Sequence, residues 1–152
     1  MIPHDAPFCN PWEHLVRDIR RAIEGEMAAI AVYESLLSMA PNEESRENLT
    51  HIRDDEKKHL LGFSNIYRGL TGTQPSPGRP PIPQFATYFE GLKDAYYDEL
   101  EAAEFYRSIL LSTCDPRIGT VVFEAMTDEM EHATRLNRLY FLALHQMHHQ
   151  RS

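Results

Sequence analysis

The sequence predicts an all-α fold, a four-helix bundle of two antiparallel helix hairpins joined by one long proline-rich crossover. Three observations carry this. Strand signals are absent throughout, cap and stop residues cut the chain into four long helical segments, and residues of the first half recur 73 positions later in the second. At 152 residues and 42% hydrophobic content the chain has the material for one domain, 1–152, with a sizeable core.

Asn10, Pro11 and Glu13 read as an N-cap, a proline at the first helical position and a capping-box acid, opening a helix over about 11–40. Pro41 and Asn42 end it and start a second helix over 43–69, which Gly69 and the Thr71-Gly72 pair stop. The crossover, 70–84, contains five prolines and favours an extended path. Roughly 15 residues at about 3.1 Å each span some 45 Å, the length of a helix of about 28 residues, so the crossover can traverse the bundle. A third helix is expected over 85–113. Asp115 and Pro116 repeat the cap-plus-proline signal for a fourth over 115–149.

The repeat carries the chemistry. Glu26, Glu56 and His59 return as Glu99, Glu129 and His132, and the same offset pairs Ala29 with Ala102, Tyr33 with Tyr106, Asp55 with Asp128 and Tyr67 with Tyr140. Pro41 lies midway between Glu26 and Glu56, and Cys114 midway between Glu99 and Glu129. In antiparallel hairpins this puts all four carboxylates at one depth, roughly 22 Å from their turns. A lone Glu-x-x-His is common on solvated helices. Two at matched depth, joined by two further glutamates, suit a pair of divalent metals held by oxygen and nitrogen. Four inward carboxylates without a cation would cost too much.

Other residues have two readings each. Tyr33 and Tyr106 follow a glutamate by two helical turns and either pack in the core or bond a ligand carboxylate on the opposite helix. Asp55 and Asp128 precede His59 and His132 by four residues and either accept from the imidazole or are solvated acids. Glu101 and Glu104 offer a rival acid pair, but Glu101 is rotated 200° from Glu99, which makes these two surface acids. His145, His148 and His149 read as a solvated terminus. The aromatics Tyr88, Phe89, Tyr96, Tyr97 and Phe105 exceed one inward stripe, and some are expected to cover a subunit interface in a homodimer or larger homo-oligomer.

A formal charge of -8 argues against nucleic-acid or anionic-membrane partners. No apolar run approaches the roughly 20 residues of a membrane span, and MIPHDAPFCN lacks the regions of a signal peptide, so a cytoplasmic location is expected. Cys9 and Cys114 form no C-x-x-C pair, which excludes a rubredoxin-type centre or zinc ribbon within the chain, and they are expected to be free thiols.

With these residues placed, the chain resembles the ferritin-like di-iron carboxylate superfamily over about 12–145, and GEMAAIAVY on helix one and DEKKH on helix two resemble its rubrerythrin branch. The resemblance implies a di-iron site in which Glu56 and Glu129 bridge, with Glu26 and His59 on one side and Glu99 and His132 on the other. It implies too that Tyr33 and Tyr106 bond ligand carboxylates across the bundle. Rubrerythrins carry a further glutamate where this chain has Ala102, and usually a rubredoxin domain, absent here. The haem-binding methionine of the similar bacterioferritins is Lys57 here, so no haem is expected. The implied function is oxidation of Fe(II) by dioxygen or hydrogen peroxide, as a ferroxidase or a peroxidase with an external electron donor. An iron-storage subunit and a structural or coat bundle with incidental metal are the alternatives. Manganese or a mixed pair would accept the same ligands.

Overall fold

The computed structural model describes residues 12–149, in four helices: α1 (Trp12–Met39), α2 (Glu43–Thr71), α3 (Tyr88–Ser112) and α4 (Pro116–His149). No strand occurs among the described residues. Helix α1 packs on α2 and α3, and α4 on α3 and α2, so α1 and α4 sit on one diagonal and α2 and α3 on the other. The expected all-α four-helix bundle is the observed one.

Local chemistry sets the ends. The Asn42 side chain accepts from the Ser45 N–H at 2.9 Å, and Asp115 Oδ1 accepts from the Arg117 N–H at 2.9 Å. Helix α2 runs two residues past the expected stop. Gly72, not Gly69, adopts the left-handed conformation (φ 73°) and donates its N–H to Arg68 O at 2.8 Å. Helix α3 begins three residues later than expected, because Thr87 accepts from the Glu90 N–H and so fixes the start. The cap read at Asn10 and Pro11 lies outside the described residues, as do the side chains of His148 and His149.

Between α2 and α3 the chain has no regular structure from Thr73 to Phe85 and returns to the other end of the bundle. There Ser35 Oγ donates to Pro83 O at 2.8 Å, and Phe85 packs on the core. That path makes α3 antiparallel to α1.

Two apolar clusters fill the interior. One, near the α3–α4 turn, gathers Leu15, Ile19, Ile23, Phe63, Tyr106, Ile109, Ile118 and Val122. The other, near the α1–α2 turn, gathers Tyr33, Leu36, Leu49, Ile52, Leu92, Ala95, Leu136 and Leu139. Each fully buried aliphatic side chain contributes about 1.5–3 kcal/mol. Between the clusters lies the polar layer described below. Of the five aromatics questioned on α3, only Tyr97 is mostly exposed, at 55%; Phe89 stacks on Tyr140 with ring centroids 4.3 Å apart. Glu101 and Glu104 are exposed.

Cys114 corrects the expectation of free thiols: it is disulfide-bonded. Reducing surroundings set the state of the average thiol and not of each individual one. Cys9 lies outside the described residues.

Two glycines in helices give opposite predictions. A Cβ at Gly91 would stand 2.6 Å from Leu36 Cδ2 and 2.9 Å from the Phe85 ring, whereas a Cβ at Gly25 meets nothing within 4 Å. Gly25→Ala is expected to stabilise by about 1 kcal/mol through helix propensity alone. For Gly91→Ala the overpacking cost of about 1–3 kcal/mol outweighs that gain, and a net loss of about 1 kcal/mol is expected. Urea unfolding of both variants checks the signs.

Candidate metal centre

The polar layer holds Glu26 on α1, Glu56 and His59 on α2, Glu99 on α3, and Glu129 and His132 on α4, all buried. Helical spacing explains why each pair faces inward together: residues three apart share a face. The six form two overlapping groups. Glu26, Glu56, His59 and Glu129 can each offer one atom within 4.8 Å of the others, and so can Glu56, Glu99, Glu129 and His132. Glu56 and Glu129 belong to both.

Each imidazole turns Nδ1 toward the carboxylates. His59 Nδ1 lies 3.2 Å from Glu56, 3.3 Å from Glu129 and 3.7 Å from Glu26. His132 Nδ1 lies 3.2 Å from Glu56, 3.2 Å from Glu129 and 3.5 Å from Glu99. Tyr33 donates its hydroxyl to Glu99, and Tyr106 to Glu26, so each phenol bonds a carboxylate on the antiparallel neighbour. The Nε2 atoms face outward. His59 Nε2 is 3.0 Å from Asp128 and His132 Nε2 is 3.5 Å from Asp55. This differs from the expected reach along one helix: each aspartate serves the histidine of the other hairpin, since the bundle aligns the turn of one helix with that of its neighbour.

Burial dominates the electrostatics. It pushes the Glu26 carboxyl well above its ordinary range, with the Glu56 carboxylate adding to the effect, and it pushes Glu129, next to Glu99, up to about 8. Burial also raises both phenols, as do the nearby carboxylates, so Tyr33 and Tyr106 stay protonated donors. For the histidines burial acts downward, but the surrounding carboxylates outweigh it. His132 is pushed up to about 12, and His59 is raised as well. In this state protons hold the acids together. Burial works against Asp55, yet bonds from Lys58 and His132 keep its carboxyl below the ordinary range.

The donor set fits a pair of cations. Glu56 Oε1 and Glu99 Oε2 are buried and make no well-aligned hydrogen bond; His132 Nδ1 stands near them at 3.2 Å and 3.5 Å. Buried carboxylate oxygens with unused acceptor capacity at two positions, beside inward Nδ1 atoms, are what a cation would satisfy. A cleft of about 380 Å³ between α1 and α3 leads to Glu26, Glu56, Glu99 and Glu129, and its walls include Gly25, Ala29, Ala95 and Ala102. Ala102 is where the rubrerythrin pattern has a further glutamate. Two neighbours of the site were missed in the sequence, His51 and Lys58, both bonded to Asp55. Their i, i+4 and i, i+3 spacing from Asp55 was the available signal.

Comparison with known proteins agrees with the geometry. The rubrerythrin family profile matches residues 18–140. An uncharacterised Bacillus subtilis protein, YhjR, is 34% identical over 140 residues, covering 90% of this chain and 94% of its own length. The encapsulin nanocompartment cargo protein EncC of Myxococcus xanthus is 27% identical over 106 residues, 63% of this chain and 79% of its own. Among solved structures, an Anabaena variabilis protein with DJ-1/ThiJ/PfpI-like and ferritin-like domains superposes with a TM-score of 0.78 at 14% identity. That match covers 89% of this chain, which spans 41% of the two-domain protein. Four helices in the ferritin-like arrangement, a buried carboxylate and histidine layer and a profile match over most of its length make this chain a member of the rubrerythrin family.

Proposed function

We propose that the chain is a di-iron oxidoreductase that oxidises Fe(II) with dioxygen or hydrogen peroxide. The observation that carries the reading is the pair of overlapping four-residue groups sharing Glu56 and Glu129. In this reading Glu26 and His59 would hold one iron, Glu99 and His132 the other, and Glu56 and Glu129 would lie between. Two adjacent redox-active metals supply, when bound, the two electrons that such an oxidant takes up.

The chain's own residues set the conditions for that chemistry. Tyr33 and Tyr106 fix the rotation of the outer carboxylates, Glu99 and Glu26. Asp55 and Asp128 would accept hydrogen bonds from the Nε2–H groups and leave each Nδ1 lone pair facing inward. The apolar clusters above and below exclude bulk water, while the cleft between α1 and α3 admits Fe(II) and a small oxidant. An external donor would be needed for repeated reduction. Assembly into a homodimer or larger oligomer is part of the proposal, supported by Leu111, Phe123 and Phe141 standing 74%, 51% and 67% exposed on α3 and α4.

A second reading, iron storage with the chain housed inside a protein shell, draws only its shell from the match to the Myxococcus cargo protein. Sedimentation of protein isolated from its native cells separates the two. A small free oligomer supports the first reading, and recovery in a particle of shell size supports the second.

Glu129→Ala removes a carboxylate common to both groups. Fe(II)-dependent consumption of peroxide is expected to vanish while circular dichroism stays helical, since the two apolar clusters persist. Turnover at the parental rate would defeat the enzyme reading.

The raised proton affinities give a pH prediction. In metal-free protein, stabilisation from Glu129 is complete below its ordinary value of 4.5 and is lost as pH rises through about 8. That from His132 is complete below 6.5 and declines toward about 12. Both contributions therefore fall between pH 5 and 8. Chelator-treated protein should lose roughly 5 °C or more in Tm across that interval. Metal displaces these protons, so affinity should rise with pH, and calorimetry in buffers of different ionisation enthalpy should record proton release. A metal-free Tm that climbs over the same interval would contradict the assignment.

A further inference from the structure

The inner ring of this site obeys the 73-residue repeat, and the ring around it does not. Asp55 and Asp128 are repeat equivalents, but their neighbours differ in sign. The repeat partner of His51 is Glu124, and that of Lys58 is Glu131. Asp55, with a side chain 10% exposed, takes Lys58 Nζ on Oδ1 at 2.6 Å, and His51 Nε2 lies 3.1 Å from its Oδ2. The same Oδ2 is the atom that His132 Nε2 approaches, at 3.5 Å. Asp128, 40% exposed, meets His59 Nε2 at 3.0 Å and has no other basic group within ion-pair distance among the described residues. The Lys58 ammonium is bonded to Asp55, whose carboxylate raises its proton affinity more than Asp128 does.

We propose that the two metal positions are unequal, the Glu26 and His59 position binding first and more tightly than the Glu99 and His132 position, with Lys58 and His51 as the positioning residues that create the difference. The inference rests on the metal-centre reading above. A carboxylate that accepts an imidazole N–H makes the opposite ring nitrogen a better donor to a cation, and loss of such a partner typically weakens metal binding tenfold to a hundredfold. Asp128 gives His59 that support at a normal hydrogen-bond distance. Asp55 shares one carboxylate among three basic groups, and its contact with His132 lies at the outer limit for a hydrogen bond. Burial acts the other way, because the less exposed Asp55 is less screened by water. The bonded ammonium cancels much of that advantage, and the distances of 3.0 Å and 3.5 Å decide the order.

Co(II) titration of the metal-free full chain, followed by visible absorbance and calorimetry, tests this. Two binding steps are expected, separated by about tenfold or more. His59→Ala should remove the tighter step and His132→Ala the weaker. Because either change in the buried layer could disturb folding, the deciding variant is on the surface: Lys58→Gln combined with His51→Gln should tighten the second step several-fold and leave the first unmoved. Two metals bound in one step of equal affinity, a tight step lost in His132→Ala, or a second step unmoved in the double variant would each overturn the inference while leaving the metal centre standing. A parent chain that binds no Co(II) would overturn the metal centre and this inference with it.

Discussion

Four carboxylates held in the buried middle of a small helical bundle are the constraint to which the rest of the structure answers. Each would cost several kcal/mol as an unpaired buried ion. Glu26, Glu56, Glu99 and Glu129 are nonetheless within a few per cent of complete burial. The compensation that the protein's own groups provide is partial: two imidazoles drawn toward the charged state, two phenols donating inward, and at least one carboxyl pushed toward its neutral form. Two oxygens still make no well-aligned hydrogen bond. A layer like this adds little to folding stability by itself.

Apolar burial supplies what the polar layer does not. The clusters above and below it are centred on fully buried aliphatic side chains, including Ile19, Leu36, Ile52, Leu92 and Leu136. They clamp the four helices at both ends and leave the middle free to carry charge. Tyr33 and Tyr106 join the two regimes. Each ring belongs to an apolar cluster and each hydroxyl to the carboxylate layer. Exposed ion pairs such as Arg20 with Glu24 add little by comparison.

Most of this architecture is legible in the sequence because helices obey one rotation and one rise per residue. Equal distances from two turns are enough to bring Glu26, Glu56, Glu99 and Glu129 to one depth, and three-residue steps are enough to put His59 and His132 beside them. Legibility fails where contacts depend on the relative rotation and height of two helices. The aspartates illustrate it: spacing along a helix directs Asp55 toward His59, whereas packing delivers it to His132. It fails also where one side chain overrides a composition signal, as Thr87 does in starting α3 after Phe85. The cleft along α1 and α3 has no signature in either helix alone, since it is the space left when facing residues are small.

The repeat has a consequence for how the molecule is put together. Each four-residue group takes three members from one hairpin and a single glutamate from the other, Glu129 for the first group and Glu56 for the second. Neither hairpin can complete a coordination set by itself, yet each lacks only one side chain. The crossover supplies covalent continuity and no member of either group. A bound ion would thus be a crosslink between the two hairpins, added to the apolar clusters that already join them: at a thousand times its dissociation constant it would stabilise the folded chain by about 4 kcal/mol.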